Sequence, residues 1–176
     1  MFIAPREDHK KRTLLHLAAQ NGHIDVVKSL LHNNANINAL DKANCILLPH
    51  AAKNSHKEIV EALLKKGAII DARNKGDKTP LHVAIFYGHK DIIETLLNNK
   101  ANVDSQDKEN KTPLHYAAFQ GKKDVVETLL HNKAVVDTKI IKDYTSLYIA
   151  AQNGNKDVVW TFLSNKVDVN ASGKND

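Results

Sequence analysis

The chain has 176 residues, 42% of them apolar but only 5% aromatic, which is enough for a sizeable core built from repeated aliphatic and alanine layers and argues against a single aromatic-rich centre. Its formal charge of +5 and pI near 9.2 suit an acidic partner or plain solubility, whereas Arg6, Arg12 and Arg73 are the only arginines among 25 basic residues, too few planar forks to favour nucleic-acid binding. One cysteine, Cys45, excludes an internal disulfide and fits a reducing compartment, no run of about 18 apolar residues exists, and the opening Met1 to Arg6 is too short for a signal peptide, so a soluble cytoplasmic protein without a membrane segment is expected.

After a lead-in over residues 1–7, Thr13-Leu14-Leu15-His16-Leu17-Ala18 reads as the start of a short helix that must stop at Gly22. Asp25-Val26-Val27-Lys28-Ser29-Leu30-Leu31 then reads as a longer helix. Val27, Leu30 and Leu31 fall at i, i+3 and i+4 on its buried face, and Lys28 faces water. An extended loop follows. The same order recurs at a constant offset of 33 residues: Ile46-Leu47-Leu48-Pro49-His50-Ala51, Thr79-Pro80-Leu81-His82-Val83-Ala84, Thr112-Pro113-Leu114-His115-Tyr116-Ala117 and Thr145-Ser146-Leu147-Tyr148-Ile149-Ala150. Five repeats result, over 8–40, 41–73, 74–106, 107–139 and 140–172, with 173–176 left as the remnant of a further loop.

Each piece has a local reason. Thr79 and Thr112 can cap the short helix, and the proline after each takes the first helical position, where no backbone donor is needed. The pairs Ala18-Ala19 and Ala117-Ala118 let helices approach closely. Asp77, Asn110 and Asp143, two residues before the capping threonine, are types that tolerate a left-handed backbone at a loop tip. The second repeat departs from this plan: Ile46 replaces the cap, Pro49 replaces the histidine, and Ser55 replaces the turn glycine. It is expected to be the weakest, since a stack is held by each repeat and its neighbours. The last repeat carries Trp160 where others have Lys or Glu, and Phe162 where they have Leu, instead of a polar cap, so the chain is expected to be a segment of a longer array.

This pattern resembles the ankyrin repeat family, whose 33-residue period and T-P-L-H-x-A signature it carries from Asp8 to Ser172. The resemblance implies an all-α solenoid of helix-turn-helix units with projecting hairpin-like loops. It also implies a non-catalytic scaffold, expected to be monomeric, that binds another protein through a concave face and loop tips. A second reading stays open, a structural or spacer segment of a larger multidomain effector, toxin or channel protein.

Ten histidines invite a metal or catalytic reading, but His16, His82 and His115, like His23, His56 and His89, recur at the repeat period and form ladders instead of converging. No catalytic, P-loop or dinucleotide motif occurs. Neither a cofactor nor a metal is therefore expected. Applied to this chain, the family's binding positions on the first helix fall on Gln20 and Asn21, Lys53 and Asn54, Phe86 and Tyr87, Phe119 and Gln120, and Gln152 and Asn153, with Tyr116 nearby. Phe86, Tyr87 and Phe119 are rings where other repeats are polar. The loop tips add Lys75, Lys78, Lys108 and Lys111, then Ile140, Ile141 and Tyr144, an aromatic centre flanked by lysines that suits an acidic partner segment with apolar anchors. A loop asparagine that is hydroxylated in some eukaryotic members is matched here by Asn38 and Asn170.

Overall fold

A computed structural model describes residues 12–41, 46–141 and 143–168, so that Arg6, Cys45, Asn170 and the segments 1–7 and 173–176 lie outside the described residues. Ten helices and no strand occur among the described residues: α1 (Leu14–Gln20), α2 (Ile24–His32), α3 (Leu47–Lys53), α4 (Lys57–Lys65), α5 (Pro80–Tyr87), α6 (Lys90–Asn98), α7 (Pro113–Gln120), α8 (Lys123–His131), α9 (Ser146–Gln152) and α10 (Lys156–Ser164). The chain divides into two compact units, Met1–Ala101 with α1 to α6 and Asn102–Asp176 with α7 to α10. In the first, α1, α3 and α5 pack side by side, α2, α4 and α6 form a second row, and each short helix lies against the long one that follows it. The second unit repeats this with α7 beside α9 and α8 beside α10.

The short helices start where threonine and histidine lock together. Thr79 has an extended backbone, its N–H donates to His82 Nδ1 at 3.1 Å, and its hydroxyl lies 2.9 Å from the same nitrogen. Thr112 and His115 repeat the arrangement at 3.1 and 2.8 Å, and Thr13 and His16 at 3.3 and 2.9 Å. Three of the periodic histidines are therefore consumed by caps. Pro80 and Pro113 occupy the first turn, as their missing N–H allows.

Helices this short leave most of their backbone carbonyls without intrahelical donors. The next repeat supplies them. His56 Nε2 donates to Gln20 O at 3.0 Å, His89 Nε2 to Lys53 O at 2.8 Å, and Asn155 Nδ2 to Ala118 O at 2.7 Å and Phe119 O at 3.1 Å. This bonding also explains a glycine. Gly121 has φ +67°, and a Cβ there would come within 2.6 Å of Asn155 Oδ1, so both backbone and neighbour forbid a side chain.

Between the rows the core is a set of aliphatic ladders. Leu15, Leu48 and Leu81 recur in the first unit and Leu114 and Leu147 in the second, all buried. Val27, Val60 and Ile93, and Val126, form the matching ladder on the long helices. Ala18, Ala19, Ala51 and Ala52 are buried where α1 meets α3, as small residues at a close approach should be. Lys28, Glu61, Glu94 and Glu127 face water. The pairs Lys57–Glu61 at 3.9 Å and Lys123–Glu127 at 3.6 Å run along that exposed face, where such pairs add little stability.

The loop tips turn through left-handed residues at the expected places, Asp77 (φ 57°), Asn110 (φ 60°) and Asp143 (φ 59°). The first residue of the loop holds the tip. Asn74 Oδ1 accepts from the N–H of Gly76 at 2.9 Å and Lys78 at 3.1 Å, and Asp107 Oδ1 accepts from Glu109 at 2.8 Å and Lys111 at 3.0 Å. A second left-handed set closes the long helices, at Asn34, Gly67, Lys100, Lys133 and Lys166. Lysine gives no signal for that conformation, so residue type did not announce it.

In repeat two, α3 runs unbroken through Pro49, which lies in its first turn. Ile46 provides no side-chain cap and is buried with Leu47, Leu48 and Pro49, so apolar burial stands in for the polar lock. Ser55 occupies the turn with φ 61°, a strained backbone for a residue with a Cβ. Two outcomes are expected. Hydrogen exchange should find the amides of α3 the least protected among the short helices, and finding them the best protected would overturn the assignment. Ser55→Gly should raise stability by about 0.5–1 kcal/mol, read as a shift in urea midpoint at constant slope.

Candidate functional site

The predicted site residues fall into two groups, one in each unit. In the first unit, Phe86 and Tyr87 end α5 and are 50% and 46% exposed, although both could have been buried had the stack needed them as core. Their rings meet edge to face at 5.2 Å. Tyr87 also lies parallel to His89 at 6.2 Å, and His89 is held in turn by the Lys53 carbonyl. The Lys53 ammonium stands 5.4 Å from the Tyr87 ring centre and the Lys78 ammonium 5.8 Å from that of Phe86, both within cation–π reach. These side chains, with Pro49, His50, Asn74 and Val83, wall a groove of about 280 Å³. None of the lining residues is acidic. Asp41 is turned away into a 2.8 Å bond between its Oδ2 and His50 Nε2. Lys75 is exposed at the tip and does not line this groove.

The second unit offers a different surface. Phe119 is 61% exposed at the end of α7 and Ile141 is 67% exposed at the tip, while Ile140 and Tyr144 are half-buried beside it. With Ile149, Gln152, Asn153, Glu109 and Lys111 they line a groove of about 640 Å³. Lys111 pairs with Glu109, and the Ile141 N–H reaches the Glu109 carbonyl at 3.4 Å, so the two tips are joined and this lysine's charge is balanced. Tyr144 stacks on Tyr148 at 4.3 Å, which fixes its ring. Lys108 is exposed, and Gln120 is half-buried and outside the groove.

Tyr116 has a structural task. Its hydroxyl donates to Asp107 Oδ2 at 2.6 Å, tying helix α7 to the start of its own loop. Burial, reinforced by that hydrogen bond and the Asp107 charge, holds the phenol proton well above its ordinary range. Lys53 was legible as a variable position of the first helix but not singled out, and His89 was read only as a member of a periodic ladder; the contacts of Lys53 with Tyr87 and of His89 with the Lys53 carbonyl cross between neighbouring repeats.

The histidines are accounted for by position. Beyond the caps, His56 and His89 bind carbonyls, and among the described residues no group of three or more His, Cys, Asp or Glu could hold a metal ion. Asn38 Oδ1 accepts from Ile69 N–H at 3.4 Å, linking two outgoing loops, and Asp104 Oδ1 does the same for Val135 at 2.8 Å. No helix among the described residues is long and apolar enough to cross a membrane.

Within each unit, helix pairs that recur at a fixed period, with capped short helices and loops between the pairs, follow the plan of a repeat protein. A family model described as ankyrin repeats (3 copies) matches residues 2–41, 15–107, 50–140 and 99–173, and the chain belongs to the ankyrin repeat family. A comparison with curated proteins found no match. Ankyrin repeats are in general protein–protein interaction modules and typically lack catalytic activity.

One electrostatic consequence concerns the frame beneath the second groove. His115 is buried and its pKa is pushed down to about 4, chiefly by burial, partly offset by the backbone of Tyr144 and Thr138. Its Nδ1 accepts from Thr112 N–H and so has no place for a proton. Between pH 6.5 and about 4 the unfolded chain binds a proton that the folded chain refuses. The contribution of His115 to stability is complete above 6.5, falls as the pH drops, and levels off below about 4, a loss on the order of 3 kcal/mol. Urea midpoints measured across this window should show the decline, and His115→Gln should flatten it.

Proposed function

We propose that this chain is a non-catalytic scaffold that binds a partner protein through the ends of its short helices and its loop tips, the partner presenting an acidic segment with apolar anchors. The observation that carries the reading is the exposure of Phe86, Tyr87 and Phe119, 50%, 46% and 61%, at positions that are polar in other repeats, each at the wall of a groove. Folding gains little from a large ring left in water, and solubility is worsened by it, whereas an interface gains most from such anchors. Lys53 and Lys78 add positive charge to one groove, and Ile141 extends the apolar surface of the other. The net charge of +5 favours encounter with an acidic partner. A monomer in a reducing, cytoplasmic setting is the context in which we place it, consistent with a single cysteine.

The test is a pull-down with the intact chain beside a Phe86→Ala, Tyr87→Ala, Phe119→Ala control, followed by titration of the captured partner. The triple variant should lose binding while keeping its thermal melt. Phe119→Ala alone should cost about 2 kcal/mol, roughly a thirtyfold weaker Kd. Unchanged affinity in the triple variant would remove these rings from the interface.

A further inference from the structure

We infer that the groove of the first unit is an anion-selecting subsite, which takes a carboxylate-bearing residue of a partner segment together with the aromatic or aliphatic residue beside it. The inference rests on the protein-binding role proposed above and divides the labour between the two grooves. At about 280 Å³ the cleft lies just below the range of small-molecule sites, so it fits one or two peptide side chains better than a cofactor. The lysines that line it are Lys53 and Lys78, and its His50 is bonded to Asp41. Lys53 and Lys78 stand at the same pair of touching rings, and no acidic side chain lines the groove.

The site is also prepared in advance. His89 donates to the Lys53 carbonyl and lies parallel to Tyr87, and the Lys53 ammonium in turn faces the Tyr87 ring. The Tyr87 ring is flanked by His89 of its own repeat and approached by the Lys53 ammonium from the preceding one, which places cation and ring together before an anion docks. The exposed faces of Phe86 and Tyr87 supply the apolar wall for the neighbouring residue. In the other groove Lys111 is neutralised by Glu109 and the lining is dominated by Phe119 and isoleucines, so an uncharged anchor suits it instead. Carboxylate preference therefore belongs to one cleft and not to the chain's positive charge at large.

Two displayed peptide libraries measured against the whole chain test this, one placing a phenylalanine or leucine between aspartate and glutamate residues, the other replacing those acids by asparagine and glutamine. The acidic library should bind about tenfold more tightly at low salt, and the preference should shrink as salt rises. Lys53→Gln with Lys78→Gln should erase the preference, and Phe119→Ala should weaken both libraries without changing it. Equal binding of the two libraries, or a preference that survives the double lysine variant, overturns the subsite and leaves the protein-binding role standing. Binding of neither library overturns both.

Discussion

The short helices cannot complete their own hydrogen bonds, and the rest of the structure follows from how that deficit is met. With seven or eight residues each, they end in carbonyls that the following turn satisfies in part, as His23 N–H does for Ala18 O and Lys122 N–H for Ala117 O, and His56, His89 and Asn155 bond others from the next repeat. The donors His56, His89 and Asn155 stand at multiples of the 33-residue period. At Gly121 the donor side chain occupies the space a Cβ would need. The last residues of α5 and α7 keep their side chains outward, which is where Phe86, Tyr87 and Phe119 are found.

Much of this was written plainly in the residues. The 33-residue phase, the capping threonines, the buried aliphatic faces and the left-handed Asp77, Asn110 and Asp143 all follow from residue types whose preferences are strong. Lys100, Lys133 and Lys166 adopt the same left-handed backbone without any such preference, held there by the end of the long helix, and in that series Asn34 and Gly67 are the residue types that suit it. The exposure of the three aromatic rings was legible as a departure from the pattern. Their setting was not. Lys53 meets Tyr87 from the preceding repeat, and the balance of Lys111 by Glu109 depends on how a loop tip folds, which spacing alone leaves open.

One backbone frame thus presents two grooves of unlike chemistry. In the first unit the variable positions hold lysines against aromatic faces, and in the second they hold isoleucines and a phenylalanine beside a neutralised ion pair. The repeating residues go into caps and ladders, whereas Phe86 and Ile141 are exposed and outside both. His115 shows the converse. It lies beneath the second unit's surface, contributes nothing exposed, and its burial pushes its pKa down to about 4.

The tie between Asp107 and Tyr116 belongs to a series, for the same nine-residue interval joins Asp41 to His50 by a hydrogen bond and places Ile140 and Ile149 in the wall of one groove. Each of these fastenings begins and ends inside a single repeat, whereas the carbonyl donors reach across a border. A gene that duplicates or exchanges whole repeats therefore carries every loop fastening along intact, while a new neighbour must still match at the donor position. Point substitution faces the opposite bias: altering one member of a loop pair strands the other, so loop tips should diversify by paired replacement or by wholesale shuffling, and only rarely one residue at a time.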